Sequence, residues 1–236
     1  MNKKLVVITG ASSGIGKELA KYFSLKGHAL LLLARRLQPM LNINLPNTMC
    51  ISLDIKEKKQ LQIAINKAEN KFGPVACLIN NAGIVNFGEF TDKNLKYTNA
   101  EIINTNILGY MNGIEIILPR MQKIEEGTIL NISSGNDRYT SPYLAAYGAT
   151  KAAIKSLTDS LASENAGKNV RICNIAPGLI DTPIFNPIKF QQLDEFKRTG
   201  EMIKTKEFAE IVYWIYSQPQ HICIKDILLA PTNWKI

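Results

Sequence analysis

A chain of 236 residues with 46% hydrophobic and 20% charged content is long enough for one large α/β domain and ordinary for a globular protein. Its net charge of +8 comes from scattered lysines and arginines, with no basic run or basic stripe interleaved with aromatics, which argues against a nucleic-acid partner. No apolar stretch approaches membrane-spanning length, and the run from Leu5 to Ile8 is too short for a signal core, so a cytoplasmic protein with no membrane partner is expected.

The elements follow one another in a regular alternation. Residues 4–9, KLVVIT, form a β-branched apolar run ending in glycines and read as a buried strand. Residues 14–27 carry helical apolar spacing at Ile15, Leu19, Tyr22 and Phe23 and stop at Gly27. Further strands are expected over 28–34, 48–55, 75–80, 127–133, 169–177 and 225–230. Helices are expected over 57–73, 95–123, 145–166 and 206–218, the first of these closed by Gly73. Strands alternating with helices of ten or more residues imply βαβ units. Continuously apolar strands imply helices on both faces. The expectation is a single-domain, doubly wound Rossmann fold spanning residues 1–236, with a parallel sheet of about seven strands.

Between the first strand and helix stands TGASSGIG, with Gly10, Gly14 and Gly16. Glycines allow a tight turn and close approach of a phosphate to the backbone, and the following helix offers free N–H groups. A phosphate loop of the G-x-x-x-x-G-K-[ST] type is excluded, because Ala11 stands at its first glycine and Glu18 follows Lys17. Further along, Tyr147 is followed four residues later by Lys151. On a helix the two share a face. A nearby ammonium favours phenolate and would lower the tyrosine pKa, making it a usable acid and base. Alone, the same spacing also fits a chance pair on a surface helix. The four cysteines, Cys50, Cys77, Cys173 and Cys223, lie in apolar runs without metal-ligand spacing and read as buried free thiols; no metal is expected.

TGASSGIG, NNAG at 80–83, ISS ending in Ser134, YGATK and APG at 176–178 occur together and in order. This set resembles the short-chain dehydrogenase/reductase family over nearly the whole chain. The resemblance implies an oxidoreductase that interconverts an alcohol and a carbonyl by hydride transfer. It makes Tyr147 the general acid/base and Lys151 the lysine that lowers its pKa and binds the nicotinamide ribose. Ser134, thirteen residues before Tyr147, would hold the substrate oxygen, while Ser133 is structural. Asn106 would support a proton relay, with Asn104 as the competing choice. The resemblance also places Gly10, Ser12, Ser13, Gly14, Ile15, Gly16, Asn81, Ala82, Gly83, Pro177, Gly178, Ile180 and Thr182 around the cofactor, with Thr182 on the carboxamide.

Strand two ends in LLLARR, with Ala34 where NAD-dependent relatives carry aspartate. Arg35 then suits a 2′-phosphate, aided by Ser12 or Ser13, and NADP(H) is the expected cofactor. Arg36 either contributes or is a solvated surface charge. Asp54 matches an adenine contact, with a helix cap as the competing role. Pro39 and Pro46 leave room for only a brief helix between strands two and three. A substrate lid is expected over about 182–205, with Phe185, Phe190 and Phe196 either lining a pocket or packing the lid down. The tail around His221 resembles the branch of NADP-dependent 3-hydroxy acid and serine-type dehydrogenases; His221 itself reads as a packing or hydrogen-bonding residue. The substrate would be a small 3-hydroxy acid or another carbonyl or alcohol compound. Relatives imply a homodimer or homotetramer. The rival readings are a catalytically silent NADP(H)-binding sensor and a sugar-nucleotide epimerase or dehydratase, which also uses Y-x-x-x-K.

Overall fold

The computed structural model describes residues 4–185 and 202–234. The expected lid lies mostly outside them, as do Phe190 and Phe196. Strands β1 (Leu5–Thr9), β2 (Ala29–Ala34), β3 (Thr48–Ser52), β4 (Val75–Asn80), β5 (Gly127–Ile132) and β6 (Val170–Pro177) make one sheet with the late strand β9 (Asp226–Leu229). Its order is β3-β2-β1-β4-β5-β6-β9, and every pairing is parallel. A separate two-stranded parallel ribbon joins β7 (Ile180–Asp181) to β8 (Ile203–Lys204). The seven-stranded doubly wound sheet is thus as the sequence implies.

Alternation along β1 divides the core. Val6 and Ile8 join one buried cluster with Leu19, Phe23, Phe208 and Val212, while Leu5 and Val7 join the other with Leu61, Ile65, Ile117 and Met121. The first cluster lies under helices α1 (Gly14–Leu25) and α7 (Thr205–Ser217). The second lies under α3 (Lys58–Phe72) and α5 (Gly109–Ile124). With both faces covered, a strand needs apolar residues at every position, and β1 and β2 are buried throughout.

Two expectations are corrected in detail. The third strand ends at Ser52 rather than at residue 55, which leaves Asp54 in a loop. The long helix does not begin at residue 95 but as α4 (Asn99–Ile103), capped by Thr98. Thr98 Oγ1 accepts from the Glu101 N–H at 3.1 Å, and Glu101 Oε2 accepts from the Thr98 N–H at 2.7 Å. This reciprocal pair satisfies two helix-end donors and fixes the start. A π-helical turn, Asn104–Leu108, then joins α4 to α5. Such turns interrupt helices mostly at functional positions, and this one carries Asn106. Between β2 and β3 the chain makes only the four-residue helix α2 (Gln38–Leu41), with Pro39 in its first turn, as the two prolines require.

Phe23 is fully buried where α1 meets α7, with ring centroids of Tyr213, Tyr216 and His28 at 5.2, 5.4 and 5.6 Å. Truncation to alanine removes this aromatic contact and leaves a cavity, so Phe23→Ala is expected to lower unfolding free energy by about 3–5 kcal/mol in a urea titration.

Candidate active site

The C-terminal ends of the central strands open into a cleft of about 750 Å³. It lies where the strand order reverses between β1 and β4, the position at which open α/β sheets hold ligands. The floor is the glycine loop. Gly10 has φ +68°, and a Cβ there would meet Ala82 Cα at 2.8 Å; a Cβ on Gly16 would meet the Gly10 carbonyl oxygen at 2.5 Å. Both contacts are with backbone, so neither position accepts a side chain without moving the loop. Thr9 and Asn81 bind this turn to the end of β4. Thr9 Oγ1 accepts from the N–H groups of Asn81 and Ala82 at 2.9 and 3.0 Å, and Asn81 Nδ2 donates to the Thr9 carbonyl at 2.9 Å. The NNAG segment is therefore the second wall of the glycine loop.

Tyr147 and Lys151 lie in the first turns of α6 (Ala145–Glu164), and Ser134 lies just after β5. Tyr147 and Ser134 line the same cleft, and Ser134 Oγ accepts from the Asn136 N–H at 3.2 Å. Lys151 is 3% exposed, and its Nζ donates to the Ile132 carbonyl at 2.9 Å. The same carbonyl accepts the hydroxyl of Tyr110 from α5 at 3.0 Å. Lys151 Nζ lies 5.3 Å from the Tyr110 ring centre and 5.6 Å from that of Tyr147. The cluster therefore joins α5, β5 and α6.

The electrostatics correct one expectation. Burial pushes the Tyr147 phenol above its ordinary value; the Ser134 hydrogen bond opposes this, and the charge of Asp137 adds to it. Lys151 does not produce the expected lowering, because burial pushes its own pKa down to about 7, against the pull of Asp137. Desolvation disfavours the charged form of both groups. In this state the phenol is firmly protonated and the lysine carries only part of its charge near neutral pH.

Asn106 is fully buried in the π-helical turn. Its Oδ1 accepts from the Ile84 N–H at 2.9 Å, and its Nδ2 donates to the Ile84 carbonyl at 2.9 Å and to Thr150 Oγ1 at 3.1 Å. The side chain thus ties the segment after NNAG to α6. Ser133 is structural, as expected: its hydroxyl donates to Asp137 Oδ2 at 2.7 Å.

At the end of the cleft beside the glycine loop, Arg35 and Arg36 both border it. It is Arg36 whose Nη2 donates to the hydroxyls of Ser12 and Ser13, at 3.2 Å each. Arg36 is exposed, as the surface reading has it, and its guanidinium is also set beside the glycine loop. Asp54 borders the cleft and accepts from the Lys56 N–H at 3.0 Å, while Glu57 precedes α3, so the helix-cap reading of Asp54 does not hold. Ile15, Gly14, Gly83, Pro177, Gly178, Ile180 and Thr182 also line the cleft, whereas Gly16 lies beneath the loop. Thr182 Oγ1 is buried and without a hydrogen-bond partner among the described residues. His221 is exposed and away from the cleft, so the packing role expected of it is not seen.

Three contributors escape a reading of the sequence. Tyr110 sits in an ordinary-looking helix. Asp137 is a buried carboxylate ion-paired with Arg138 and hydrogen-bonded to Ser133 and Asn174. Trp234 packs from the tail onto Gly135, where a Cβ would meet its ring at 2.5 Å, and lines the cleft beside Ser134. The glycine directly after Ser134 was the one available signal for this contact.

The site can be set beside known proteins. The family model described as short chain dehydrogenase matches residues 4–192. An uncharacterized oxidoreductase of Staphylococcus epidermidis is 30% identical over 235 residues, covering 98% of each chain. A structure described as ElxO with NADP bound is 30% identical at a TM-score of 0.81, covering 96% of this chain and 97% of the other. A closed serine dehydrogenase complexed with NADP+ shares the fold at a TM-score of 0.89 and 24% identity, covering 98% and 96%. The chain belongs to the short-chain dehydrogenase/reductase family and is an oxidoreductase of that type.

Proposed function

We propose that this protein is an NADP(H)-dependent reductase/dehydrogenase that interconverts a small alcohol and its carbonyl, with Tyr147 as general acid/base. The observation that carries this reading is the convergence of Ser134, Tyr147 and Lys151 in the same cleft as the glycine loop. A silent cofactor-binding sensor would need none of these three groups.

The residues present fit a nicotinamide dinucleotide. The glycine loop leaves its backbone open to a pyrophosphate, the unpartnered Thr182 hydroxyl suits a carboxamide, and Arg35 and Arg36 suit a 2′-phosphate. The bound cofactor supplies or accepts the hydride. Ser134 and Tyr147 hold the substrate oxygen by hydrogen bonds that strengthen as it becomes an alkoxide. Tyr147 then gives up its proton to that oxygen. Lys151 would hold the nicotinamide ribose of a bound cofactor, and its ammonium stabilises the phenolate that Tyr147 leaves behind. Asn106 acts as a positioning residue through Ile84 and Thr150.

Trp234 stands as a wall at the substrate end, which favours small substrates, among them 3-hydroxy acids. Exposed Ile103 and Leu108 on the α4 side provide apolar surface for a homodimer or homotetramer.

Three measurements test the reading. With NADPH and a panel of small carbonyls, Tyr147→Phe is expected to reduce kcat by about 10²–10⁴-fold while NADPH binding persists. Loss of NADPH binding in the wild type would overturn the proposal. Arg36→Gln is expected to raise the Kd for NADPH by about 10–100-fold, the loss of a charge-assisted hydrogen bond, and to leave NADH binding nearly unchanged.

The third concerns stability. Lys151 is protonated in both folded and unfolded chains below pH 7, so its burial is fully destabilising there. Between its folded value of about 7 and its unfolded value of 10.5, only the unfolded chain retains the proton, and stability rises with pH. Urea titrations should show the wild type gaining on Lys151→Met across this window, by at most about 1.4 kcal/mol per pH unit. A constant difference between the two would show that Lys151 keeps an ordinary pKa.

A further inference from the structure

Away from the cleft, two of the four thiols face each other. Cys173 lies on β6 and is 2% exposed; Cys223 lies in the segment between α7 and β9 and is partly exposed. Their sulfurs are 4.0 Å apart, in contact but not bonded. The segment carrying Cys223 runs beside β6, since the Asn174 N–H donates to the Lys225 carbonyl at 2.8 Å and β6 pairs with β9 from Asn174 and Asp226 onward.

A second observation bears on the same place. Arg171, two residues before Cys173, is 5% exposed. Its guanidinium donates to Thr128 Oγ1 at 3.0 and 2.8 Å, to the Gln218 carbonyl at 2.8 Å and to the Tyr216 carbonyl at 2.7 Å. All of these acceptors are neutral, and no carboxylate pairs with it among the described residues. A buried cation without an anion favours negative charge nearby. Hydrogen bonding from Cys173, helped by the charges of Arg171 and Lys225, holds the Cys223 thiol below its ordinary value, and Cys173 is pushed up.

From the facing sulfurs and the uncompensated guanidinium, we infer that Cys173 and Cys223 form a thiol–disulfide exchange site whose co-reactant is a low-molecular-weight disulfide such as oxidised glutathione. Cys223 thiolate attacks one sulfur of that disulfide, forming a mixed disulfide and expelling one glutathione thiolate. The Cys173 thiol gives its proton to the expelled thiolate and attacks the Cys223 sulfur, releasing the second glutathione. Two protein thiols are oxidised to one disulfide, and one glutathione disulfide is reduced to two thiols.

The test incubates the full chain with oxidised glutathione and follows intact mass and unreduced peptide maps. The wild type is expected to lose two hydrogens and yield a linked Cys173–Cys223 peptide. Cys173→Ala is expected to stop at one glutathione on Cys223, and Cys223→Ser to leave Cys173 unmodified. Cys223 should also react at least about tenfold faster than Cys50, which is partly exposed but has its thiol pushed up by burial. A stable glutathione adduct on wild-type Cys223 without a linked peptide, earlier reaction at Cys50, or retention of all four thiols would each overturn the inference. None of these readouts depends on the carbonyl chemistry, so they stand apart from the fate of that proposal.

Discussion

The constraint on which the site depends is the burial of the Lys151 amine against one carbonyl. A lysine so enclosed must have a hydrogen-bond acceptor, and the Ile132 carbonyl at the end of β5 supplies it. That carbonyl has a second lone pair, taken by Tyr110 from α5. One backbone oxygen therefore fixes two helices relative to the strand that delivers Ser134. Below it, a chain of buried polar groups continues the same work. Asn80 Nδ2 donates to Asn131 Oδ1 at 2.9 Å, Asn131 Nδ2 to Thr158 Oγ1 at 2.9 Å, and Thr158 Oγ1 to the Ile154 carbonyl at 2.7 Å. β4, β5 and α6 are thereby joined under the cleft, and each link would be costly to leave unmade in a dry interior. The spacing of Tyr147 and Lys151 on α6 matters only because the helix is held this way.

Asp137 organises the other side. Its buried carboxylate accepts from Ser133, Asn174 and Arg138, and Arg138 continues to Asp226 at 2.7 Å. The loop after Ser134 is thus anchored to β6 and to β9, strands that come much later in the chain. Trp234 follows β9 and returns to Gly135. The end of the cleft beside Ser134 is consequently built from the last part of the sequence as much as from the loop after β5, and a change in the tail would be felt at Ser134.

These long-range anchors explain what could and could not be read in the sequence. The fold was legible because the strands are predominantly apolar runs and the helices between them carry apolar residues at helical spacing, both local properties. The cleft was legible through motifs whose order matches the chain order of the strands that bear them. The sequence puts Arg35 ahead of Arg36 because it directly follows Ala34, yet it is Arg36 that meets Ser12 and Ser13: two adjacent arginines have the same chemistry, and only the backbone direction after β2 separates them. Tyr110 and Trp234 were hidden for a related reason: an aromatic residue at helical spacing or in a tail reads as packing until its partner is known. The expected lowering of the Tyr147 pKa failed because spacing gives proximity but not burial.

That failure bears on the direction of proton flow in the proposed reaction. With its pKa pushed up, Tyr147 retains its proton at neutral pH and enters as a donor, the role required when a carbonyl is reduced. The reverse reaction needs phenolate at the outset, which burial disfavours unless positive charge is near. Lys151 can provide that charge only when protonated, and its pKa of about 7 places it midway near neutrality. The phosphates of a dinucleotide bring negative charge into the cleft and would favour ammonium over amine. In the proposed reaction, the charge carried by Lys151 is therefore what would set how readily Tyr147 moves between its acid and base forms.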